Sequence, residues 1–143
     1  MLLVAVVSGL ACDAQNEIKE SLNRHRQQWA SQEISSYRYQ LRVNCFCPPE
    51  ITDPVIVEVR DGATISVSYA ATGRPAESRY FEKYDSVDEL FLVIDDALGR
   101  RAAEISVTYD EKLSLPTRIY IDFVKQAIDD EIAYDVSEFE TLK

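Results

Sequence analysis

The sequence predicts an α+β domain: an antiparallel sheet of about six strands with two helices packed on one face, in the chain order α-βββ-α-βββ. Three observations lead there. Two segments repeat their apolar residues with a period near 3.6, one through Ile18, Leu22 and Trp29 and one from Val87 to Leu98. Six other segments alternate apolar and polar residues, the pattern of strands with one buried and one wet face. Short connections make neighbouring strands antiparallel, and two amphipathic helices suffice to cover one face of such a sheet. The 143 residues include only four glycines and five prolines, and no Gly/Ser- or Pro-rich linker divides them. A single domain from residue 13 to residue 143 is expected, large enough to bury a core.

The first helix is read from Asn16 to about Gln32, with His25 on its apolar stripe. The period then changes to 2: Tyr37, Tyr39, Leu41, Val43, Cys45 and Cys47 face inward as one strand, and Pro48-Pro49 ends it. The second strand runs from Pro54 to Val59 and the third from Ala63 to Tyr69, with Ala63, Ile65 and Val67 inward. A two-residue Asp61-Gly62 loop would oppose Val59 to Thr64, so matching the apolar faces favours a three-residue loop that opposes Val59 to Ala63 and Val57 to Ile65. Gly62 then takes the left-handed conformation beside a bulge.

Ala70 to Asp85 is irregular and carries Tyr80, Phe81 and Tyr84, read as anchors of a loop to the core. Ser86-x-x-Glu89 is a capping box for the second helix, whose stripe Val87, Leu90, Phe91, Ile94, Ala97 and Leu98 is closed by Gly99 and Arg100-Arg101. Three strands follow, through Ile105, Val107 and Tyr109, through Ile119, Ile121 and Phe123, and through Ile132, Tyr134 and Val136. Both halves read αβββ, with too little identity between them to assert a duplication.

The chain opens with an apolar and small-residue run, Leu2 to Ala11, ending at Cys12. That is too short for a membrane span of about 20 residues but fits an export signal. Gly9-Leu10-Ala11-Cys12 resembles a lipoprotein cleavage box, so residues 1–12 are read as a lipoprotein-type signal peptide ending at a lipidated Cys12. Cleavage at the small-x-small pattern Gly9-x-Ala11, leaving a free thiol, is the rival reading. The expected location is the cell envelope, with the domain anchored to the membrane through its N-terminal lipid.

A net charge of −10 repels phosphate backbones and anionic lipid, which disfavours nucleic acid as a partner. Three cysteines, one of them assigned to lipidation, leave Cys45 and Cys47 as a pair. On a regular strand their Cα atoms would stand about 6.5 to 7 Å apart, so a disulfide requires a bend there. A structural bridge or a pair of packed thiols is favoured over a redox pair, because no C-x-x-C at a helix N-terminus appears. A metal site lacks further ligands, and the sole histidine, His25, reads as a packed residue. Asp110, Asp122, Asp129, Asp130, Glu131 and Asp135 crowd the final hairpins, where aspartates commonly shape turns. No catalytic residue, cofactor or metal is assigned.

Taken together, Tyr37-Arg38-Tyr39, Cys45-Phe46-Cys47-Pro48, Val55-x-Val57-x-Val59-x-Asp61-Gly62, Ser86-Val87-Asp88-Glu89-Leu90-Phe91, Tyr109-Asp110, Pro116-Thr117-x-Ile119-x-Ile121-Asp122 and Asp129-Asp130-Glu131 resemble an uncharacterised bacterial family of exported proteins and lipoproteins, domain-of-unknown-function family 6174. Its members often carry glycine at the place of Ser114. The resemblance covers roughly Trp29 to Phe139 and implies fold and location without an activity. The functional expectation is an envelope lipoprotein that binds a protein or small ligand, or acts structurally, without catalysis. The alternative is thiol-redox or soft-metal handling through Cys45 and Cys47.

Overall fold

The computed structural model describes residues 9–143, with side-chain surroundings from residue 12 onward; residues 1–8 of the expected signal lie outside the described residues. Helix α1 (Gly9–Ser31) is followed by β1 (Tyr37–Asn44), a short α2 (Pro49–Thr52), β2 (Val55–Arg60), β3 (Ala63–Tyr69), α3 (Val87–Gly99), β4 (Glu104–Tyr109), β5 (Pro116–Asp122) and β6 (Glu131–Thr141). The six strands form one antiparallel sheet in the order β3-β2-β1-β6-β5-β4. Each half contributes a three-stranded meander, and the first strand of one half meets the last strand of the other at the centre.

The expected fold class and the two long helices are present, with two departures in the element order. Helix α1 begins before Asn16 and runs without a break through Cys12, so Asp13 to Gln15 are helical rather than a short flank. Pro48-Pro49 does more than end a strand: Pro49 opens the four-residue α2, which suits a proline because the first helical N–H has no intrahelical partner.

On β1, Tyr37, Tyr39, Leu41 and Val43 are buried, while Arg38 and Arg42 are exposed on the opposite face. The buried row belongs to one core with Leu22 and Trp29 of α1 and Leu90, Phe91 and Ile94 of α3. The two inward tyrosines also satisfy polar groups: Tyr37 Oη accepts the Val87 N–H at 2.9 Å, and Tyr39 Oη donates to the Tyr84 carbonyl at 3.1 Å. Burial pushes the Tyr37 hydroxyl up to about 12, so it stays protonated. With Phe81 buried and Thr64 Oγ1 bonded to the Asp85 carbonyl at 2.7 Å, the segment before α3 is anchored as its aromatics predict.

Ser86 caps α3 by accepting the Glu89 N–H at 3.1 Å. The C-terminus differs from expectation, because Gly99 stays helical and Arg101 takes the left-handed conformation with φ 54°. Arg101 N–H bonds to Leu98 O at 3.1 Å and Ala102 N–H to Ala97 O at 3.0 Å, a Schellman closure that buries Ala102 against Ala97.

Register shifts mark three strand pairings, β2–β3, β1–β6 and β4–β5, the last between Thr108 and Tyr109. The β2–β3 turn has two central residues, Asp61 and Gly62, with φ 49° and 79°, so the expected three-residue loop is corrected and Arg60 opposes Ala63. Val59 does face Thr64; the register then shifts past Ile65, which restores Val57 opposite Val67 and leaves Ala63 and Ile65 exposed instead of inward. Between β1 and β6 a similar shift occurs at Glu138, with φ 52°. It turns Phe139 onto Tyr37 and Trp29, with ring centroids 5.4 and 5.8 Å away. At the β4–β5 turn Ser114 has φ 64°, a conformation glycine adopts without strain, and its Oγ donates to Gln28 Oε1 at 2.7 Å.

Because Phe91 is 1% exposed at the centre of this core, Phe91→Ala should lower stability by about 3 to 5 kcal/mol in a denaturant melt. A loss below about 1 kcal/mol would place that face of α3 in solvent.

Candidate functional site

The sheet face opposite the helices is open, and at one end the β1–β6 pairing builds a cleft on it. Strand β1 ends at Asn44, opposite Ala133, and the chain bends through Cys45 and Phe46. The bend supplies what a regular strand would not: the Cys45 and Cys47 Cα atoms stand 5.2 Å apart and the two residues form a disulfide. The expected strand through Cys47 is therefore three residues shorter. The ring between the two cysteines holds Phe46 outward, 83% exposed.

Opposite Phe46 lies the β5–β6 connection, 123–130, with Ile128 89% exposed. The cleft between them has a volume of about 520 Å³, and its floor includes Arg118 and Tyr120 of β5 and Asn44 of β1. Asp135 holds that floor in place by accepting from Asn44 Nδ2 at 2.7 Å and from Arg118 Nη1 at 2.5 Å. Asn44 and Arg118 are thus matched internally while two large apolar side chains stand in water, an arrangement in which a ligand gains by covering Phe46 and Ile128.

A second cleft, of about 500 Å³, lies on the helix side of the same hairpin, between α3 and the sheet. Its lining includes Tyr84, Leu92, Phe123 and Tyr134, with the Arg100 guanidinium 4.1 Å from the Phe123 ring centroid. Ile132 borders both clefts, so the end of the hairpin separates them. A third, of about 550 Å³ around Tyr69 and Arg74, has no exposed large apolar side chain at its edge.

The other residues singled out in the sequence fall elsewhere. Cys12 is exposed with a free thiol on α1. His25 stacks on Tyr109, centroids 3.8 Å apart and planes 3° from parallel, and its Nδ1 lies 2.8 Å from the Ser21 carbonyl, which it serves as donor. Asp110 shapes its turn by accepting from Lys112 and Leu113 N–H at 2.9 and 2.7 Å, and Asp130 Oδ2 accepts the Val124 N–H at 2.7 Å. Asp122 is different: it is 6% exposed, and its Oδ1, like Asp130 Oδ1, has no hydrogen-bond donor. Among the described residues no group of three or more His, Cys, Asp or Glu side chains is arranged to hold a metal ion, and no helix is long and apolar enough to cross a membrane.

Sequence reasoning singled out Cys45 and Cys47 but missed Phe46 and Ile128 as a pair. The available signal was the aromatic between two cysteines and an isoleucine in the acidic 125–131 stretch, a large apolar residue with no alternating neighbours to bury it.

Residues 21–141 match a family of unknown function, DUF6174. No curated protein and no solved structure matches the chain. The matched region begins within α1 and takes in all six strands, α3 and the cleft between Phe46 and Ile128, so the chain belongs to the DUF6174 family.

Proposed function

We propose that this protein is a non-catalytic binding module of the bacterial cell envelope, anchored by lipid on Cys12, and that it captures an exposed apolar side chain of a partner protein in the cleft between Phe46 and Ile128. One observation carries the binding reading: two large apolar side chains, 83% and 89% exposed, flank a cleft in whose floor Asn44 and Arg118 are already held by Asp135. Burying a phenylalanine side chain is worth about 1.5 to 3 kcal/mol, enough to reward a partner that covers it. The anchor reading is supported by the apolar run that stops at Cys12 and by the exposure of that thiol. A lipid at that position would attach the domain through α1, with no flexible tether between them.

A second reading, thiol–disulfide exchange at Cys45 and Cys47, is favoured by the bridge's position on the surface, where both cysteines line a shallow depression with Phe46 and Pro48. Under the structural reading the bridge closes a very small ring, and loop entropy assigns it at most about 1.6 kcal/mol.

Three measurements test these readings. Cys12→Ser should move the protein from the membrane to the soluble fraction; unchanged membrane association would sink the lipid anchor. A photo-crosslinking side chain placed at Phe46 should give a discrete adduct in cells that is lost with Ile128→Asp, whereas the same probe at Ser66, on the open face away from the cleft, should not. Equal adducts at both positions, or none at Phe46, would contradict the cleft. Replacing both Cys45 and Cys47 with Ser should lower stability by no more than about 1.6 kcal/mol and leave the adduct at Phe46 intact. Loss of the adduct with an unchanged melt, together with opening of the wild-type bridge in a glutathione series within the range of known oxidoreductases, would favour exchange instead.

A further inference from the structure

Asp122 lies on the last residue of β5, in the row that faces the open side of the sheet with Arg118 and Tyr120, yet it is 6% exposed. Asp130, at the other end of the 123–130 connection, directly precedes Glu131, the residue opposite Asp122 in the β5–β6 register, and its carboxyl group bears on the Asp122 charge. One oxygen of each carboxyl group, Oδ1 in both, is buried without any donor from the rest of the protein. The remaining Asp130 oxygen is occupied by the Val124 N–H at 2.7 Å.

The charges around Asp122 make full ionisation costly. Glu131 of β6 and Glu104 of β4 stand opposite it in the two flanking registers, and none of the ion pairs among the described residues involves Asp122 or Asp130. Lys125 and Asp129, on the connection itself, are exposed, and Tyr120 is a neutral neighbour on β5. Two carboxylates cannot both stay charged in such a place without a cation or a donor, but one proton held between them satisfies both buried oxygens.

We propose that Asp122 and Asp130 share a single proton and form a pH-sensitive clasp that fixes the 123–130 connection over the end of the sheet. Protonated, the pair holds both ends of the loop, and Ala127 and Ile128 line the cleft. When the shared proton is lost to solvent, the buried Asp122 and half-buried Asp130 repel as anions and the loop parts from β5, taking Ile128 away from Phe46. The functional consequence rests on the cleft reading above; the clasp itself does not.

The direction of the effect follows from linkage. Burial first, then the charge of Asp130, raise the Asp122 pKa above the ordinary carboxylate value. The folded state therefore binds the proton more tightly than the unfolded chain. The resulting stability is complete below the unfolded pKa of about 3.9 and is lost as pH rises through the elevated folded value.

Carbon-detected NMR of the Asp carboxyl groups in the purified protein, titrated with pH, tests the clasp. The expected result is two carboxyl carbons that titrate together in two steps, the upper step above the ordinary carboxylate range, with protection of the Val124 amide falling across that step. Asp122→Asn should abolish the upper step, as should Asp130→Asn, and the wild-type titration alone decides if either variant fails to fold. Independent single titrations in the ordinary range would overturn the proposal, as would an upper step that calcium chloride removes, which would assign the pair to a cation. The photo-crosslink at Phe46 tests the cleft separately, so failure of one leaves the other readable.

Discussion

The fold depends on the pairing of β1 with β6. Tyr37 lies opposite Thr141 and Asn44 opposite Ala133, so the chain's first strand is paired with its last, and two meanders that share no other strand contact become one sheet. Such a pairing has high sequence separation, and the entropy of closing so long a loop is met only when the core that covers it also forms. The inward tyrosines of β1 supply that link: Tyr37 and Tyr39 bury their rings against α1, α3 and Phe139 while their hydroxyls hold the start of α3 and the segment before it. Sheet, helix cap and loop anchor therefore rest on one strand.

The same pairing makes the cleft. Cys45 and Phe46 belong to one meander and Ile128 and Ala133 to the other, and they come together because Asn44 meets Ala133. The disulfide closes the tripeptide around Phe46 in its outward bend, a ring too short for a large entropic contribution. The two faces of the sheet divide the labour: the inner face is apolar and closed by helices, the outer face is laced by Arg38–Glu140 and Arg118–Asp135 pairs and stays open. Exposed pairs of this kind add little stability, and of the two only Arg118–Asp135 lies at the floor of the cleft. Asp122 breaks the outer pattern by being buried there, which is why it carries the proposed proton.

How much of this was legible depended on whether one residue's neighbours in sequence were also its partners in space. Helix α3 was, because its stripe and its Ser86 cap are local; β1 was, because its alternation is unbroken from Tyr37 to Val43. The positions of the bulges were not. One extra residue at Ile65 and another near Glu138 reverse the inward parity within a strand, so a strict period of 2 turned Ile65 inward and missed Phe139 altogether. Gly99 drew the helix stop to itself, although the Schellman geometry was set by Ala97 and Ala102 and fell on Arg101. Cys45 and Cys47 could be read as a pair from their count, but the bend that joins them begins where β1 leaves the sheet. The cleft left no local trace, since its two walls lie on opposite halves of the chain.

Native-state hydrogen exchange tests the central pairing most directly. If β1 and β6 weld the halves, the amides of Leu41, Val43, Tyr134 and Val136 exchange only through global unfolding, with protection equal to the stability from a denaturant melt, while edge strands β3 and β4 exchange through smaller openings. Exchange of the β1 and β6 amides at lower free energy than those of β2 and β5 would mean that the meanders separate before they unfold, and would contradict the account.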